Sequence, residues 1–215
     1  SSYYADNLYI RNKVLGFESL EEISVHIKNL EFTGEHIVEQ RFDGLGVGLG
    51  VLASNGRILQ AFQYRRVHEP PSGGGSSYRA SMAVARDIRL ACSRLVEAVN
   101  FTGVAMFEFR YNMITSGWIL IEVNGRFWGG LPLAVAAGAD FPYHLFRLFV
   151  HGEEAPQGVY KTDFFARNLI NDLYCFFHEM NAFEDRSFRE RARFLLNRIG
   201  EFRHLLIGAE AIDTF

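Results

Sequence analysis

Two apolar runs near the middle of the chain carry isolated polar residues on one side. Gly103-Val104-Ala105-Met106-Phe107-Glu108-Phe109-Arg110 and Ile119-Leu120-Ile121-Glu122-Val123-Asn124 are rich in β-branched and aromatic residues, and both predict buried strands. The segment Tyr111 to Gly117 between them reads as a hairpin loop. Centred near Thr115, it sets Glu108 opposite Glu122. Side chains alternate faces along a strand, so Glu122 and Asn124 share one face. Upstream, Val47–Ala53 and Ile58–Val67 are apolar runs joined by Ser54-Asn55-Gly56-Arg57, and Asn-Gly between such runs signals a tight hairpin. His36 to Phe42 reads as a further strand, and Leu8-Tyr9-Ile10 and Lys13-Val14-Leu15 as short strand pieces.

Helical spacing appears elsewhere. Leu20, Ile23, Ile27 and Leu30 fall on one face behind Ser19-Leu20-Glu21-Glu22, a capping box. Met82, Ala85, Ile88, Cys92, Leu95 and Val99 predict a long helix over roughly Ser81 to Val99. Leu131–Ala137 and Phe141–Val150 read as two helices, the second capped by Asp140 with Pro142 in its first turn. Residues 164–207 read as helical and aromatic-rich, with a turn near Asn181, and Arg167 and Arg186–Arg193 as a solvated helix face. Helices mixed with antiparallel strands make an α+β class.

Composition adds bounds. Of 215 residues, 48% are hydrophobic and 20 are phenylalanine, enough for a thick aromatic interior. A net charge of −3 gives no bulk attraction to nucleic acid or an anionic membrane. No apolar run reaches the ~18 residues that span a bilayer, and a cytoplasmic protein is expected. Cys92 and Cys175 sit in apolar helical patterns and read as reduced core residues. The aromatic tail reads as helices over the core, with a homo-oligomer surface left open.

Glu108, Glu122 and Asn124 carry the chemistry. Taken singly, each is an ordinary solvated strand residue. Together they put two carboxylates and an amide in one patch of an apolar sheet, where like charges opposite each other are destabilising. A positive group is expected there, and an all-oxygen donor set suits Mg²⁺ or Mn²⁺ better than zinc. Asn124-Gly125-Arg126-Phe127-Trp128-Gly129-Gly130 adds a guanidinium and close-approach glycines, which suggests a polyphosphate. Gly73-Gly74-Gly75-Ser76-Ser77 reads either as a surface loop or as an anion nest. Arg65 and Arg66 alternate faces, so at most one enters a given cleft.

Glu108, then Glu122-Val123-Asn124-Gly125-Arg126 and Phe127-Trp128-Gly129-Gly130, resembles the metal-binding end of the ATP-grasp superfamily, in its carbamoyl-phosphate-synthetase-like flavour. The resemblance runs from about Glu35 to about Gly152. It implies an ATP-grasp fold, an antiparallel sheet with packed helices and an incomplete N-terminal lobe. Residues 1–158 are the ATP-grasp domain on this reading, with 1–37 a remnant of the first ATP lobe and 38–158 the nucleotide and metal lobe. Residues 159–215 form a C-terminal helical extension. It implies ATP and Mg²⁺ (or Mn²⁺) as cofactors, with metal on Glu108, Glu122 and Asn124, and Arg126 as the catalytic charge at the transferred phosphate. Adenine would meet Glu39, Gln40 and Phe42, with Met106 packing on the ring or serving the core. Arg65 or Arg66, with Gly74, Gly75 and Ser76, would hold phosphate or the small carboxylate substrate. The implied reaction is a ligase step that activates a carboxylate as an acyl phosphate for attack by an amine or similar nucleophile. Gly46 stands where relatives carry a ribose-binding acid, and no phosphate lysine is evident, with Lys13 in the wrong context. A non-catalytic nucleotide-binding or interaction module is the alternative these departures support.

Overall fold

The computed structural model describes residues 2–5, 8–11, 15–29, 38–69, 76–154, 158–182 and 187–213. The chain divides into two compact units, Ser1–Phe42 and Asp43–Phe215. In the first, strands β1 (Ser2–Ala5) and β2 (Leu8–Arg11) pair antiparallel, and helix α1 spans Leu20–Asn29. Ser19 Oγ accepts from the Glu22 amide at 3.2 Å, while the Glu22 carboxylate accepts from the Glu18 amide at 3.0 Å. The predicted strand at His36–Phe42 does not form over its described part. Residues 38–42 have no regular structure and, among the described residues, no partner strand. His36, Ile37 and Lys13 lie outside the described residues.

The second unit is built on one seven-stranded sheet. Its strands are β3 (Leu45–Ser54), β4 (Arg57–His68), β5 (Tyr78–Met82), β6 (Gly103–Tyr111), β7 (Trp118–Asn124), β8 (Phe165–Asn168) and β9 (Glu210–Asp213). They run in the order β7-β6-β3-β4-β5-β8-β9, antiparallel except for the parallel pair β8–β9. Asn55 and Gly56 take φ of 47° and 76°, the left-handed pair that a two-residue hairpin needs, and they join β3 to β4. Helices α2 (Arg86–Ala98), α3 (Leu131–Ala136), α4 (Phe141–His151), α5 (Leu169–Ala182), α6 (Phe188–Glu201) and α7 (Arg203–Leu206) complete the unit.

Three sequence expectations change here. The long helix begins at Arg86, because Ser81 and Met82 belong to β5, whose Tyr78 and Ala80 are buried beside β4. β8 and β9 replace part of the expected helical tail. β7 is not a buried strand: it lies at the sheet edge, with β6 its one strand neighbour among the described residues, and Ile121 and Val123 are about half exposed.

The sheet has two different faces. On one, Val47, Leu49 and Val51 of β3 and Phe107 and Phe109 of β6 pack under Ile88, Cys92 and Val96 of α2. On the other, Leu52, Phe62, Val104 and Met106 pack under Leu133 and Ala134 of α3 and Phe141 of α4. Asp140 caps α4 by accepting from the Tyr143 amide at 3.0 Å, as its sequence predicts. Beyond that second core the same face turns polar.

Candidate functional site

The polar end of the face follows from register. Gly48 of β3 lies between Tyr64 of β4 and Glu108 of β6, and Glu108 pairs with Glu122 of β7. Gly50 lies between Phe62 and Met106, and Met106 pairs with Asn124. The predicted opposition of Glu108 and Glu122 is therefore present, with a bulge just beyond it between Glu108 and Phe109. Three alternate glycines, 46, 48 and 50, floor the face, and large side chains lie across them. A Cβ on Gly48 would sit 2.5 Å from the Tyr64 ring, and one on Gly46 2.5 Å from Arg66 Cδ. Gly46, where the resemblance leads one to expect an acid, thus makes the bed for an arginine.

At the Gly46 end of this face opens a cavity of about 450 Å³, lined by Arg66, Met106, Glu108, Glu122, Asn124 and Arg126 among others. Arg66 reaches across β3 and donates to Glu108 Oε2 at 2.6 Å. Glu69 joins Arg66 at 3.2 Å and Arg110 at 2.9 Å. Glu122 Oε1 accepts from the Asn124 amide at 2.7 Å, and Asn124 Oδ1 accepts from Arg126 at 3.1 Å. Burial works against charge on Arg66, yet Glu108, Tyr64 and Glu69 raise its pKa above the ordinary arginine value. Burial also raises the Tyr64 phenol, against the pull of Arg66 and Arg79.

Sequence reasoning expected a positive group beside Glu108, and the chain supplies one in Arg66. Glu122 is exposed on the edge strand, so it needs no counter-charge to be tolerated. Of the arginine pair, Arg66 lines the cavity and Arg65 is not among its lining residues. Arg126 follows the end of β7 and also donates to its neighbour Phe127 O at 2.9 Å. Met106 is buried in the core cluster as well as lining the cavity. Ser76 is buried, its hydroxyl directed to Tyr78 O at 3.4 Å. Gly74 and Gly75 lie outside the described residues. Glu39, Gln40 and Phe42 belong to the first unit, with Glu39 and Gln40 exposed. Sequence reading passed over Arg110 and Glu69, although Arg110 follows Glu108 at strand spacing. Among the described residues no three His, Cys, Asp or Glu side chains form a metal cluster; the donor set at the cavity is two carboxylates and an amide.

A second polar cluster is buried under β8. Arg167, read from sequence as solvated, is 1% exposed because β8 is an inner strand. Its guanidinium donates to Glu210 at 2.7 Å and Asp172 at 2.6 Å and lies 3.7 Å over the Tyr78 ring. Asp172 also meets His68 at 2.7 Å and accepts from the Ser77 hydroxyl at 2.9 Å. Burial would raise the Asp172 carboxyl, but His68, Ser77 and Arg167 hold it well below the usual carboxylate range. His68 is raised despite burial, through Asp172 and Glu201. This cluster ties α5, α6 and β9 to the sheet.

A family model described as "ATP-grasp in the biosynthetic pathway with Ter operon" matches residues 34–170. No curated protein matches the chain. Among solved structures, the Kluyveromyces lactis urea carboxylase is 15% identical with a TM-score of 0.43, covering 56% of this chain and 11% of that one. The Bacillus licheniformis L-amino acid ligase is 20% identical with a TM-score of 0.39, covering 54% and 34%. The Hydrogenobacter thermophilus 2-oxoglutarate carboxylase biotin carboxylase domain, solved with magnesium ADP and bicarbonate, is 14% identical with a TM-score of 0.43, covering 56% and 28%. The chain thus spans about a third or less of the length of each of these proteins. The family match takes in more than half of the 215 residues, together with every described cavity residue, and the chain belongs to the ATP-grasp family of the biosynthetic pathway with the Ter operon.

Proposed function

We propose that the cavity is the nucleotide and metal site of an ATP-dependent ligase. The observation that carries this reading is the register of Glu108 opposite Glu122, with Asn124 bonded to Glu122, in a cavity also lined by Arg66, Arg110 and Arg126. Glu108, Glu122 and Asn124 fit Mg²⁺ or Mn²⁺, since they offer only oxygen donors and stand on adjacent strands. When bound, the cation offsets phosphate charge and orients the polyphosphate.

The chain's own residues then act by charge and position. Arg126 and Arg66 neutralise phosphate oxygens. A substrate carboxylate oxygen attacks the γ-phosphorus of ATP, the bond to the β-phosphate oxygen breaks, and ADP leaves. An amine or similar nucleophile adds to the acyl carbon of the acyl phosphate, and inorganic phosphate departs. Arg126, a cavity-lining residue, stabilises the charge that develops on the transferred group, and such contacts are worth about 10²–10³ in rate.

The test is Glu122→Gln. Glu122 is exposed, so the variant keeps its fold, and ATP turnover with a supplied carboxylate and amine should fall by at least about 10². A folded variant that turns ATP over at the wild-type rate contradicts the reading.

A further inference from the structure

We propose that Arg66 is the internal counter-cation of the metal position, so that the cavity takes up a divalent cation together with an anionic partner rather than alone. The inference rests on the functional reading above. It starts from one contact: Arg66 already occupies Glu108 Oε2 at 2.6 Å. The contact is built into the sheet. Gly46 leaves the space in which the arginine stem lies, since a Cβ there would stand 2.5 Å from both Arg66 Cδ and Glu69 Oε1. Both ends of the guanidinium are satisfied, one by Glu108 and one by Glu69, and its side chain is only 12% exposed.

Three arginines and two carboxylates line the cavity, and Glu69 bridges two of the arginines beside it. Arg66 meets Glu108 and Glu69, and Arg110 meets Glu69, while Arg126 and Glu122 line the cavity beside them. A lone divalent cation at Glu108 either takes Oε2 from the guanidinium or binds beside it, and in both cases the two like charges stand close together, which is unfavourable. A polyphosphate removes that cost, because its oxygens give Arg66 a new bidentate partner. Metal and nucleotide affinities are thereby linked, and linkage is reciprocal. Arg66 thus competes with the cation for the first carboxylate and couples the cation to the phosphate.

The measurement is Mn²⁺ binding by the full chain, followed through the free-ion electron paramagnetic resonance signal, with and without saturating adenylyl imidodiphosphate and corrected for the nucleotide alone. Wild type should bind Mn²⁺ at least tenfold tighter with the analogue than without it. Arg66→Met should bind Mn²⁺ alone at least tenfold tighter than wild type, and its gain from the analogue should shrink. Gly46→Ala keeps the charge but takes away the arginine's bed, and should move metal-only affinity in the same direction even where Arg66→Met fails to fold. Folded variants whose metal-only affinity is unchanged or weaker, in a wild type that binds Mn²⁺ and analogue together, overturn the inference and leave the nucleotide–metal site standing. A wild type that binds no Mn²⁺ even with the analogue overturns both.

Discussion

Arg167 is the hub of the second unit's buried charge, and removing it has a calculable cost. Arg167→Met keeps much of the side-chain volume but removes the guanidinium from over Tyr78 and strips Glu210 of its 2.7 Å partner, leaving it, among the described residues, the Tyr78 hydroxyl at 3.2 Å. The Glu210 side chain is fully buried, so it cannot turn to water for compensation. Asp172 loses a 2.6 Å donor but keeps His68 and Ser77. Breaking a buried pair by removing one partner costs about 3–5 kcal/mol. For a unit of this size, each kcal/mol moves the melting temperature by about 2–4 °C, so a fall of about 6–20 °C is expected. The double variant Arg167→Met, Glu210→Gln removes the stranded charge and should recover at least about 1 kcal/mol of that loss. Urea denaturation of wild type, single and double variants reads both numbers. A single variant within about 1 kcal/mol of wild type, or a double variant no better than the single, refutes the argument that Arg167 is held as a desolvated ion pair.

Two more outcomes follow from the same core. The raised pKa of His68 means that its stabilising contact with Asp172 and Glu201 is fully present below its ordinary value of 6.5 and is lost as pH rises through the folded value, while the lowered Asp172 contributes fully above 3.8 and is lost on acidification. The wild-type urea midpoint should therefore fall between pH 6 and pH 9, and His68→Gln should flatten that slope; an unchanged slope in the variant removes His68 as its source. Burial pushes the Cys92 thiol up to about 12, and Cys92 and Cys175 are both fully buried, so the native protein at pH 8 should resist thiol-labelling reagents while urea-unfolded protein reacts at both positions. Rapid labelling of native protein would contradict the packing under α2 and α5.

The elements legible in the sequence were those fixed by neighbours in the chain. Asn55-Gly56 set one hairpin, and the spacing from Glu108 to Glu122 set the register of the other, because a short loop determines both. Asp140 and Ser19 announced their helices through local capping. What was missed depends on distant partners. β8 is four residues long, runs directly into α5, and becomes a strand by pairing with Tyr78–Ala80 on one side and Glu210–Asp213 on the other. Arg167 looked solvated because Glu210, its main partner, lies 43 residues away. At the site, the spacing set Glu108 opposite Glu122 and led to the expectation of a positive group beside them, which Arg66 supplies at Glu108. It could not show that Arg66 lies across Gly46 to meet Glu108, since that takes three strands side by side. β7 read as buried from its apolar residues, but position in the sheet rather than composition decides exposure, and β7 is the edge.

The most direct test of the nucleotide–metal site is a thermal melt of wild type and Glu122→Gln with Mg²⁺, with adenylyl imidodiphosphate, and with both. Ligands that bind the native state raise its apparent stability, by about 2.7 kcal/mol at a hundred times the dissociation constant. A shift in wild type that needs both ligands and disappears in Glu122→Gln is the predicted result. A wild type that melts at the same temperature under all conditions, or a variant that shifts as much as wild type, would contradict the assignment of Glu108, Glu122 and Asn124 to that site.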